Sequence, residues 1–237
     1  MIFGAILAGG IGSRMKMADM PKQFLLLGSK PIIIHTVEKF LANERFDCIY
    51  IGINGDWVLY FEDLLKKFNL SSDRIKVVAG GTDRNLTIMN IIADIHENIS
   101  KSEDDVIVTH DAVRPFLTNR IINENIDAAI KYGGCDTVIP ATDTIIASTD
   151  KEYISDVPDR NELYQGQTPQ SFNLNKLHAM YNGLSEQEKA TLTDACKIFT
   201  ITGNKVRLVK GEACNIKITT VSDYKIAEAI VGGNISD

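Results

Sequence analysis

The sequence predicts an α/β protein in which helices cover both faces of a mostly parallel sheet. Strand-like and helix-like segments alternate along most of the 237 residues, and each strand-like run is short, apolar and followed by turn residues. In such sheets, ligands bind beyond the carboxyl ends of the strands. The segments LAGGIGSR, GGTDR and HDAVRP each follow a predicted strand. We therefore expect these three segments to lie together at one edge of the sheet.

The alternation runs in order to about residue 141. The predicted strands are Ile2–Ala8, Phe46–Ile53, Arg74–Ala79, Asp105–Thr109 and Cys135–Ala141. Pro31 opens the first helix, and Asp56 caps the second. The third helix covers Ile88–Ile99, and the fourth runs from a cap at Thr118 to a stop at Gly133. These elements form successive βα units.

The alternation breaks after residue 141. Asp143–Phe172 combines short β-like runs with turn residues and has no long helical pattern. This predicts an extended excursion from the sheet, built as a two-stranded arm. Because an isolated pair of strands is marginal in water, we expect the arm to pack on a second subunit of a homodimer.

Regular elements resume in the last part of the chain. The predicted helices are Asn173–Leu184, Ser185–Phe199 and a last helix that Thr220 or Ser222 caps and that ends at Val231. Short strands are predicted at Lys205–Val209 and Asn215–Ile218. No internal repeat or low-complexity linker interrupts the pattern. A single domain over residues 1–237 is therefore predicted, with the arm at about residues 143–172.

Composition excludes several classes of function. A net charge of −6 and a pI near 5.3 argue against a nucleic-acid binder, although a small phosphorylated ligand needs only local positive charge. The four cysteines form no CxxC pair and the four histidines no HExxH motif, which argues against zinc and a disulfide framework. No apolar stretch approaches the roughly 20 residues that span a bilayer, and the opening apolar run lacks a basic leader. We expect a cytoplasmic protein without membrane insertion.

The glycine-rich stretch Leu7–Phe24 predicts a phosphate site at the end of the first strand. It places three glycines against two cations, Arg14 and Lys22. Glycine lets the backbone approach a ligand closely, and cations beside such a loop suit a polyphosphate. A GxGxxG dinucleotide motif fails because Met15 stands where the third glycine belongs, and no lysine follows as a Walker loop requires. The loop instead suits a triphosphate, with both cations reaching inward.

Six segments resemble one family of nucleotidyltransferases. These are LAGGIGSRM, PKQF, GGTDRNLT, HDAVRPF, QTPQSF and NIK, and in this order they are similar to the 2-C-methyl-D-erythritol 4-phosphate cytidylyltransferase-like enzymes, which make CDP-activated polyols. Three segments are closer to the ribitol-5-phosphate branch of this family. They are LAGG followed by IGSRM, then YQGQTPQSF, and then DACKI. The methylerythritol branch usually has AAGxGxR at the first of these three segments and TDEA at the last. The resemblance implies a Rossmann-like three-layer α/β/α nucleotidyltransferase fold with a protruding β-arm.

The resemblance also implies a reaction. CMP passes from CTP to D-ribitol 5-phosphate, giving CDP-ribitol and pyrophosphate for wall teichoic acid synthesis. The alternative acceptor is 2-C-methyl-D-erythritol 4-phosphate, of isoprenoid precursor synthesis. A reductase that supplies ribitol 5-phosphate is a candidate partner. A third interpretation, a nucleotide-binding regulator without catalysis, is disfavoured by the joint presence of the cations and carboxylate described next.

Roles for individual residues follow from the resemblance. Arg14 and Lys22 stabilise charge on the α-phosphate and on the departing pyrophosphate. Arg160, reaching in from the partner subunit, and Lys217 hold the acceptor phosphate. Asp111 binds Mg²⁺, for which one carboxylate suffices because the ion also takes phosphate oxygens. The resemblance places in the CTP pocket Leu7, Ala8, Gly9, Gly10, Gly81, Thr82, Asp83, Arg84, Asn85, Leu86, Thr87 and Ala112.

Each of these residues also has a structural interpretation when taken alone. Asp111 can cap a helix or pair with Arg114, and Asp83 can fix its own turn. Lys217 alternates with apolar neighbours and so can belong to the polar face of a strand. The order of the six motifs favours the functional interpretation, because the structural one does not predict that order.

Overall fold

The computed structural model describes residues 1–10, 20–99 and 102–233. Its strands are β1 (Ile2–Ala8), β2 (Leu26–Leu27), β3 (Lys30–Pro31), β4 (Cys48–Ile53), β5 (Ile75–Ala79), β6 (Val106–Asp111), β7 (Gly134–Pro140), β8 (Tyr164–Asn173) and β9 (Arg207–Lys210). Its α-helices are α1 (Ile32–Leu41), α2 (Val58–Lys67), α3 (Arg84–Asn98), α4 (Asn119–Tyr132), α5 (Leu174–Gly183), α6 (Glu186–Ala190), α7 (Cys196–Ile201) and α8 (Val221–Val231). Short 3-10 helices lie at Lys22–Phe24, Gly55–Trp57 and Arg160–Glu162.

Seven strands form the main sheet, in the order β5-β4-β1-β6-β8-β7-β9. The first four in that order are parallel, and β9 is parallel to β7. β8 is antiparallel to both of its neighbours, so β7 and β9 point the same way as β6. Every strand of this sheet except β8 therefore ends at the same edge. The predicted α/β class with a mostly parallel sheet is confirmed.

Helices cover both faces of the sheet. One apolar cluster joins it to α1, α2 and α4 through side chains such as Phe40, Phe61 and Ile121. A second cluster, which includes Ile91 and Phe199, joins the opposite face to α3, α5 and α7. The three-layer arrangement follows from strands such as β4 and β6, whose residues are buried throughout and need cover on both sides. Within the described ranges, no helix is both long enough and apolar enough to cross a membrane.

The predicted arm is shorter than the sequence indicates. Tyr164–Asn173 is a strand inside the sheet, and the excursion covers residues 141–163, where one bridge links Ala147 with Asp156. The prediction that YQGQTPQSF belongs to an arm outside the sheet was wrong, because this strand is polar yet largely buried. Its side chains are paired inside the protein: Ser171 donates to Asn125, and the Thr168 hydroxyl lies 2.9 Å from a ring nitrogen of His110. Period-two apolar patterning cannot detect such a strand.

Three further predictions of local structure were wrong. Asn215–Ile218 is irregular chain rather than a strand, tied to the sheet edge by the Ile218 N–H, which donates to the Val113 carbonyl. Ser185–Phe199 forms two short helices, α6 and α7, with a turn between them. Asp56 caps no helix, because Asn54 caps the preceding 3-10 turn.

Other helix ends follow the sequence signals. Gly133 ends α4 in the left-handed conformation, with φ of 81°. Thr220 caps α8 in a capping box with Asp223. Thr118 precedes α4 but makes no capping bond, because its hydroxyl donates instead to Glu212. Gly133 and Thr220 thus mark helix ends as predicted, whereas α3 begins at Arg84, before the predicted Ile88.

Candidate functional site

A cavity of about 330 Å³ opens at the carboxyl edge of the sheet. Its walls come from the ends of β1 and β6, the loop before α3, the 3-10 helix at Lys22–Phe24 and the chain before α8. The predicted site residues that line it are Leu7, Ala8, Gly9, Gly10, Lys22, Gly81, Thr82, Asp83, Arg84, Thr87, Asp111, Ala112 and Lys217. The three motif segments thus meet at one edge, as the alternation of elements predicts.

The first wall presents Lys22 beside the end of β1. The side-chain amide of Gln23 donates to the Ala8 carbonyl over 2.8 Å, inside the protein. The Phe24 ring packs 5.1 Å from the Trp57 ring, measured between centroids. These two contacts fix the short helix on both sides of its backbone. They place Lys22 at the cavity.

The second wall is the tight loop between β5 and α3. Asp83 caps α3 by accepting from the Leu86 N–H over 2.9 Å. The interpretation that Asp83 fixes its own turn is therefore confirmed. The Thr87 hydroxyl donates to the Asp83 carbonyl and accepts from the Gly81 N–H. A Cβ on Gly81 would lie 2.4 Å from the Leu86 Cβ, so only glycine fits there. A Cβ on Gly9 would lie 3.1 Å from the Thr87 hydroxyl, which shows how closely the two walls approach.

Asp111 is the charged centre of the cavity. Its carboxylate is 9% exposed and faces three cations. Lys217 Nζ lies 2.8 Å from Oδ2, Arg84 Nε 3.4 Å from Oδ1 and Arg114 Nε 3.6 Å from Oδ2. Burial alone would raise the pKa of Asp111, but the three cations outweigh it and hold that pKa well below its usual range. Asp111 is therefore ionised, and its predicted pairing with Arg114 is present as well.

A buried hydrogen-bond chain fixes the end of β6. His110 Nε2 lies 3.0 Å from the Arg114 carbonyl, which can only accept, so this nitrogen carries the proton. His110 Nδ1 then accepts from the Thr168 hydroxyl, whose oxygen accepts from the Asp111 N–H over 3.2 Å. Burial lowers the pKa of His110 to about 4, so the ring is neutral at pH 7. The chain orients the backbone that carries Asp111.

Arg114 holds the segment that carries Lys217. Its guanidinium donates to the Asn215 carbonyl over 2.7 Å, and the Asn215 amide donates to the Thr168 carbonyl. Both contacts are buried. They set Lys217 against Asp111 although the two residues are far apart in the sequence. The interpretation of Lys217 as the polar face of a strand was wrong, because no strand forms there.

Not every predicted site residue lies at the cavity. Asn85 is 5% exposed, and Leu86 packs into the apolar cluster under α3, so the structure places both outside the lining. Arg160 is exposed and donates to the Thr142 carbonyl in its own excursion. Arg14 lies outside the described residues.

Sequence reasoning missed three lining residues. Gln23, Val113 and Thr219 border the cavity. Gln23 and Val113 fall inside motifs that the sequence analysis quotes, PKQF and HDAVRPF, and so could have been singled out. Thr219 carries no such signal, since only the packing of α8 brings it to the cavity.

The donor set decides what kind of metal the cavity can hold. In the described part of the chain, no group of three or more histidines, cysteines or carboxylates could form a protein-only metal site. Asp111 supplies an ionised oxygen ligand of the type that Mg²⁺ prefers, and Mg²⁺ commonly completes its shell with phosphate oxygens and water. The residues therefore fit an ion shared with a phosphorylated ligand.

The cavity suits the phosphates of a nucleotide. Glycines and Lys22 are among the lining residues, and Arg84 and Lys217 supply positive charge beside the Asp111 carboxylate. The cavity lies at the carboxyl edge of an α/β sheet, where such folds bind nucleotides. The family model described as 2-C-methyl-D-erythritol 4-phosphate cytidylyltransferase (IspD) matches residues 2–233. The chain belongs to the IspD family and is a cytidylyltransferase.

Solved structures support this membership along the whole chain. A 4-diphosphocytidyl-2C-methyl-D-erythritol synthase from Anaerococcus prevotii DSM 20548 is 29% identical, with a TM-score of 0.80 over 98% of this chain and 96% of that one. The 2-C-methyl-D-erythritol 4-phosphate cytidylyltransferase of Francisella tularensis is 27% identical, with a TM-score of 0.79 over 95% and 97%. The fold of the chain is that of these enzymes.

Proposed function

We propose that this protein transfers CMP from CTP to a polyol phosphate, with D-ribitol 5-phosphate as acceptor, and releases pyrophosphate. The observation that carries the proposal is the cavity that Lys22 lines and in which Arg84 and Lys217 pair with Asp111. In this reaction an anionic phosphate attacks the α-phosphorus of CTP, which is itself anionic. Positive charge must therefore offset the repulsion in the transition state.

Each cation has a distinct place in the proposed mechanism. Lys22 and, by resemblance, Arg14 stabilise the α-phosphate and the departing pyrophosphate. Lys217 holds the acceptor phosphate for in-line attack. Its contact with Asp111 positions its ammonium group before substrate binds. No general base is needed, because the attacking phosphate is already ionised.

Asp111 is the residue that would hold Mg²⁺. When bound, the ion supplies charge neutralisation at the nucleotide phosphates. Asp111 stays ionised across the working pH range because of its depressed pKa, so it can serve this role without competition from protons.

Two acceptors compete, and different observations favour each. The segments LAGG, YQGQTPQSF and DACKI favour ribitol 5-phosphate by resemblance. The family model and the solved structures are named for methylerythritol phosphate and so favour that acceptor. The two molecules differ by one carbon in the chain, one hydroxyl and a methyl branch.

A pyrophosphate-release assay with CTP, Mg²⁺ and each acceptor tests the proposal. We expect turnover with ribitol 5-phosphate and at least about tenfold lower kcat/KM with methylerythritol phosphate, as pocket discrimination by a hydroxyl permits. Turnover with methylerythritol phosphate alone would make the second acceptor the substrate. Absence of turnover with both would refute a polyol phosphate acceptor.

We also propose that the excursion at residues 141–163 packs against a second copy of the chain. Ile146, Tyr153, Ile154 and Val157 are each more than half exposed there, which is costly for apolar side chains of a free arm. Arg160 lies at the end of this excursion and would reach the partner's cavity. The reductase partner and the cytoplasmic location remain predictions.

A further inference from the structure

We propose that Asn215 and Gln167 are positioning residues for the acceptor. They act through Lys217 and fix the place at which its ammonium group meets the acceptor phosphate. The inference rests on the proposed function, because that function gives Lys217 this task. Neither Asn215 nor Gln167 is among the described residues that line the cavity, so their effect must pass through the lysine.

Lys217 stands on a segment without regular secondary structure. Residues 211–219 join β9 to α8 and form neither a strand nor a helix. Beside the lysine, the Ile218 N–H donates to the Val113 carbonyl over 3.0 Å, and Ile216 and Ile218 pack with Val113 in a small apolar cluster. Because the segment has no ladder of backbone hydrogen bonds, side-chain contacts must supply the rest of its support.

Asn215 ties this segment to β8. It is fully buried, and its side-chain amide donates to the Thr168 carbonyl over 2.8 Å and to Gln167 Oε1 over 3.2 Å. Its backbone carbonyl accepts from Arg114 Nη1 over 2.7 Å. All three contacts are buried and join residues at least 47 positions apart in the sequence. They fix the segment firmly, because a buried polar group that loses its partner is costly.

Gln167 closes the turn that precedes Asn215. Its Nε2 donates to the Glu212 carbonyl over 2.9 Å, while its Oε1 accepts from the Asn215 amide. A Cβ on Gly211 would lie 2.4 Å from that Oε1, so the chain passes directly against the Gln167 side chain. Gln167 therefore holds the turn at both of its ends.

Thr168 connects the acceptor side of the site with the nucleotide side. Its carbonyl accepts from the Asn215 amide, and its hydroxyl accepts from the Asp111 N–H over 3.2 Å. Lys217 Nζ in turn lies 2.8 Å from Asp111 Oδ2. Loss of the Asn215 donors would thus free the segment that carries Lys217 and leave the Thr168 hydroxyl on Asp111. We therefore expect the acceptor to be affected and CTP to be spared.

A double-mutant cycle tests whether Asn215 acts through Lys217. Asn215→Ala, Lys217→Ala and the combined variant are compared with the wild type in steady-state assays, with melting temperatures alongside. We expect Asn215→Ala to raise the KM for the acceptor at least about tenfold, as for lost buried hydrogen bonds, and the KM for CTP less than about twofold. The combined variant should match the kcat/KM of Lys217→Ala to within about twofold, since a residue that acts only through the lysine has nothing further to lose.

Asn43→Ala is the matched control. Asn43 is also a buried asparagine whose side-chain amide donates to two partners, Asn119 and Asn123, and it is not among the described lining residues. This change should lower the melting temperature without changing the KM for the acceptor. If Asn215→Ala does not fold, Gln167→Ala replaces it in the cycle. It removes one of the two bonds of the Asn215 amide and should raise the KM for the acceptor about threefold.

Chemical labelling follows the lysine itself without any substrate. Lys217 has a side chain that is 41% exposed, and its contact with Asp111 protects the amine from acylation. Limiting acetic anhydride, with the modified lysine quantified by mass spectrometry, should label Lys217 about threefold faster in Asn215→Ala than in the wild type, as for loss of a partly exposed ion pair. Asn43→Ala should label Lys217 at the wild-type rate.

The outcomes separate positioning from a role in stability alone. Additive losses in the cycle, equal changes in the KM for CTP and for the acceptor, or unchanged labelling of Lys217 would overturn the inference. Wild-type turnover decides the proposed function separately, because either polyol phosphate can serve in the cycle. If neither is turned over, the proposed function fails, and the labelling still decides whether Asn215 positions Lys217.

Discussion

Asp111 and Asp136 show how one residue type acquires opposite properties from its surroundings. Asp111 is buried and Asp136 partly buried, and the charge of the same arginine, Arg84, acts on both. Asp111 faces two more cations, and its pKa falls well below the usual range. Asp136 lacks these neighbours, and burial raises its pKa from 3.8 to about 6. Two carboxylates whose pKa values are pushed apart commonly have separate roles in a site.

The raised pKa of Asp136 predicts a specific pH dependence of stability. The folded state binds this proton more tightly than the unfolded state, so stability falls as pH rises from about 4 to about 6 and stays low above that. Between pH 5 and pH 8, the wild type should lose about 1 kcal/mol more free energy of unfolding than Asp136→Asn. Urea titrations of both proteins at the two pH values measure this. Parallel pH profiles would show that Asp136 is not desolvated.

At the scale of elements, the loop between β5 and α3 fixes one wall of the cavity. Gly81 approaches the first turn of α3 so closely that the loop cannot move without moving the helix. Thr87, on that first turn, bonds to both Gly81 and Asp83. The same contacts therefore cap the helix and shape this wall of the cavity.

We expect Gly81→Ala to weaken CTP binding. Its Cβ would lie 2.4 Å from the Leu86 Cβ and 2.9 Å from the Thr87 backbone nitrogen, so the loop must shift. The KM for CTP should rise at least about tenfold, since a misplaced wall loses binding and orientation. Gly55→Ala is the matched control, because that glycine also follows a strand and a Cβ there would meet nothing within 4 Å. Equal KM values for both variants would show that the wall does not contact the nucleotide.

At the scale of the whole molecule, Arg160 is the predicted site residue that needs a second chain. Among the described residues, it does not line the cavity of its own chain. This arginine stands on the excursion and bonds to Thr142, away from the lining. The resemblance nevertheless gives it a role at the acceptor phosphate. A homodimer in which each arm serves the other cavity reconciles the two observations.

Mixing two inactive variants tests this arrangement. Arg160→Ala and Lys217→Ala should each lower kcat at least about 10²-fold, as for a lost transition-state donor. Unfolded together and refolded, they should regain about a quarter of wild-type activity, because half of random dimers then hold one complete site. A mixture as inactive as its parts would place Arg160 in its own site or outside catalysis. Light scattering tests whether the protein is a dimer, and wild-type protein taken through the same unfolding and refolding measures the recovery of activity.

Much of the fold could be predicted because its signals are local. The apolar runs of β1, β4 and β5 and the stop at Gly133 depend on nearest neighbours along the chain. β8 could not be predicted, since its buried polar side chains are satisfied by partners such as Asn125 and His110 that lie far away in sequence. Hydrophobic patterning predicts burial only where the buried side chains are apolar.

The sequence by itself determined the glycine walls, the cation at Lys22, Asp111 and Lys217, because short motifs and their order carry them. Only the tertiary structure decided how these residues act together. Arg84 proved to pair with Asp111, Arg114 to hold the Lys217 segment, and Asp136 to lie buried with an oxygen that lacks a partner. Such properties arise from packing between distant strands and helices, which set charge proximity and burial. The spacing of residues along the chain gives neither the distance between two charges nor the burial of a side chain.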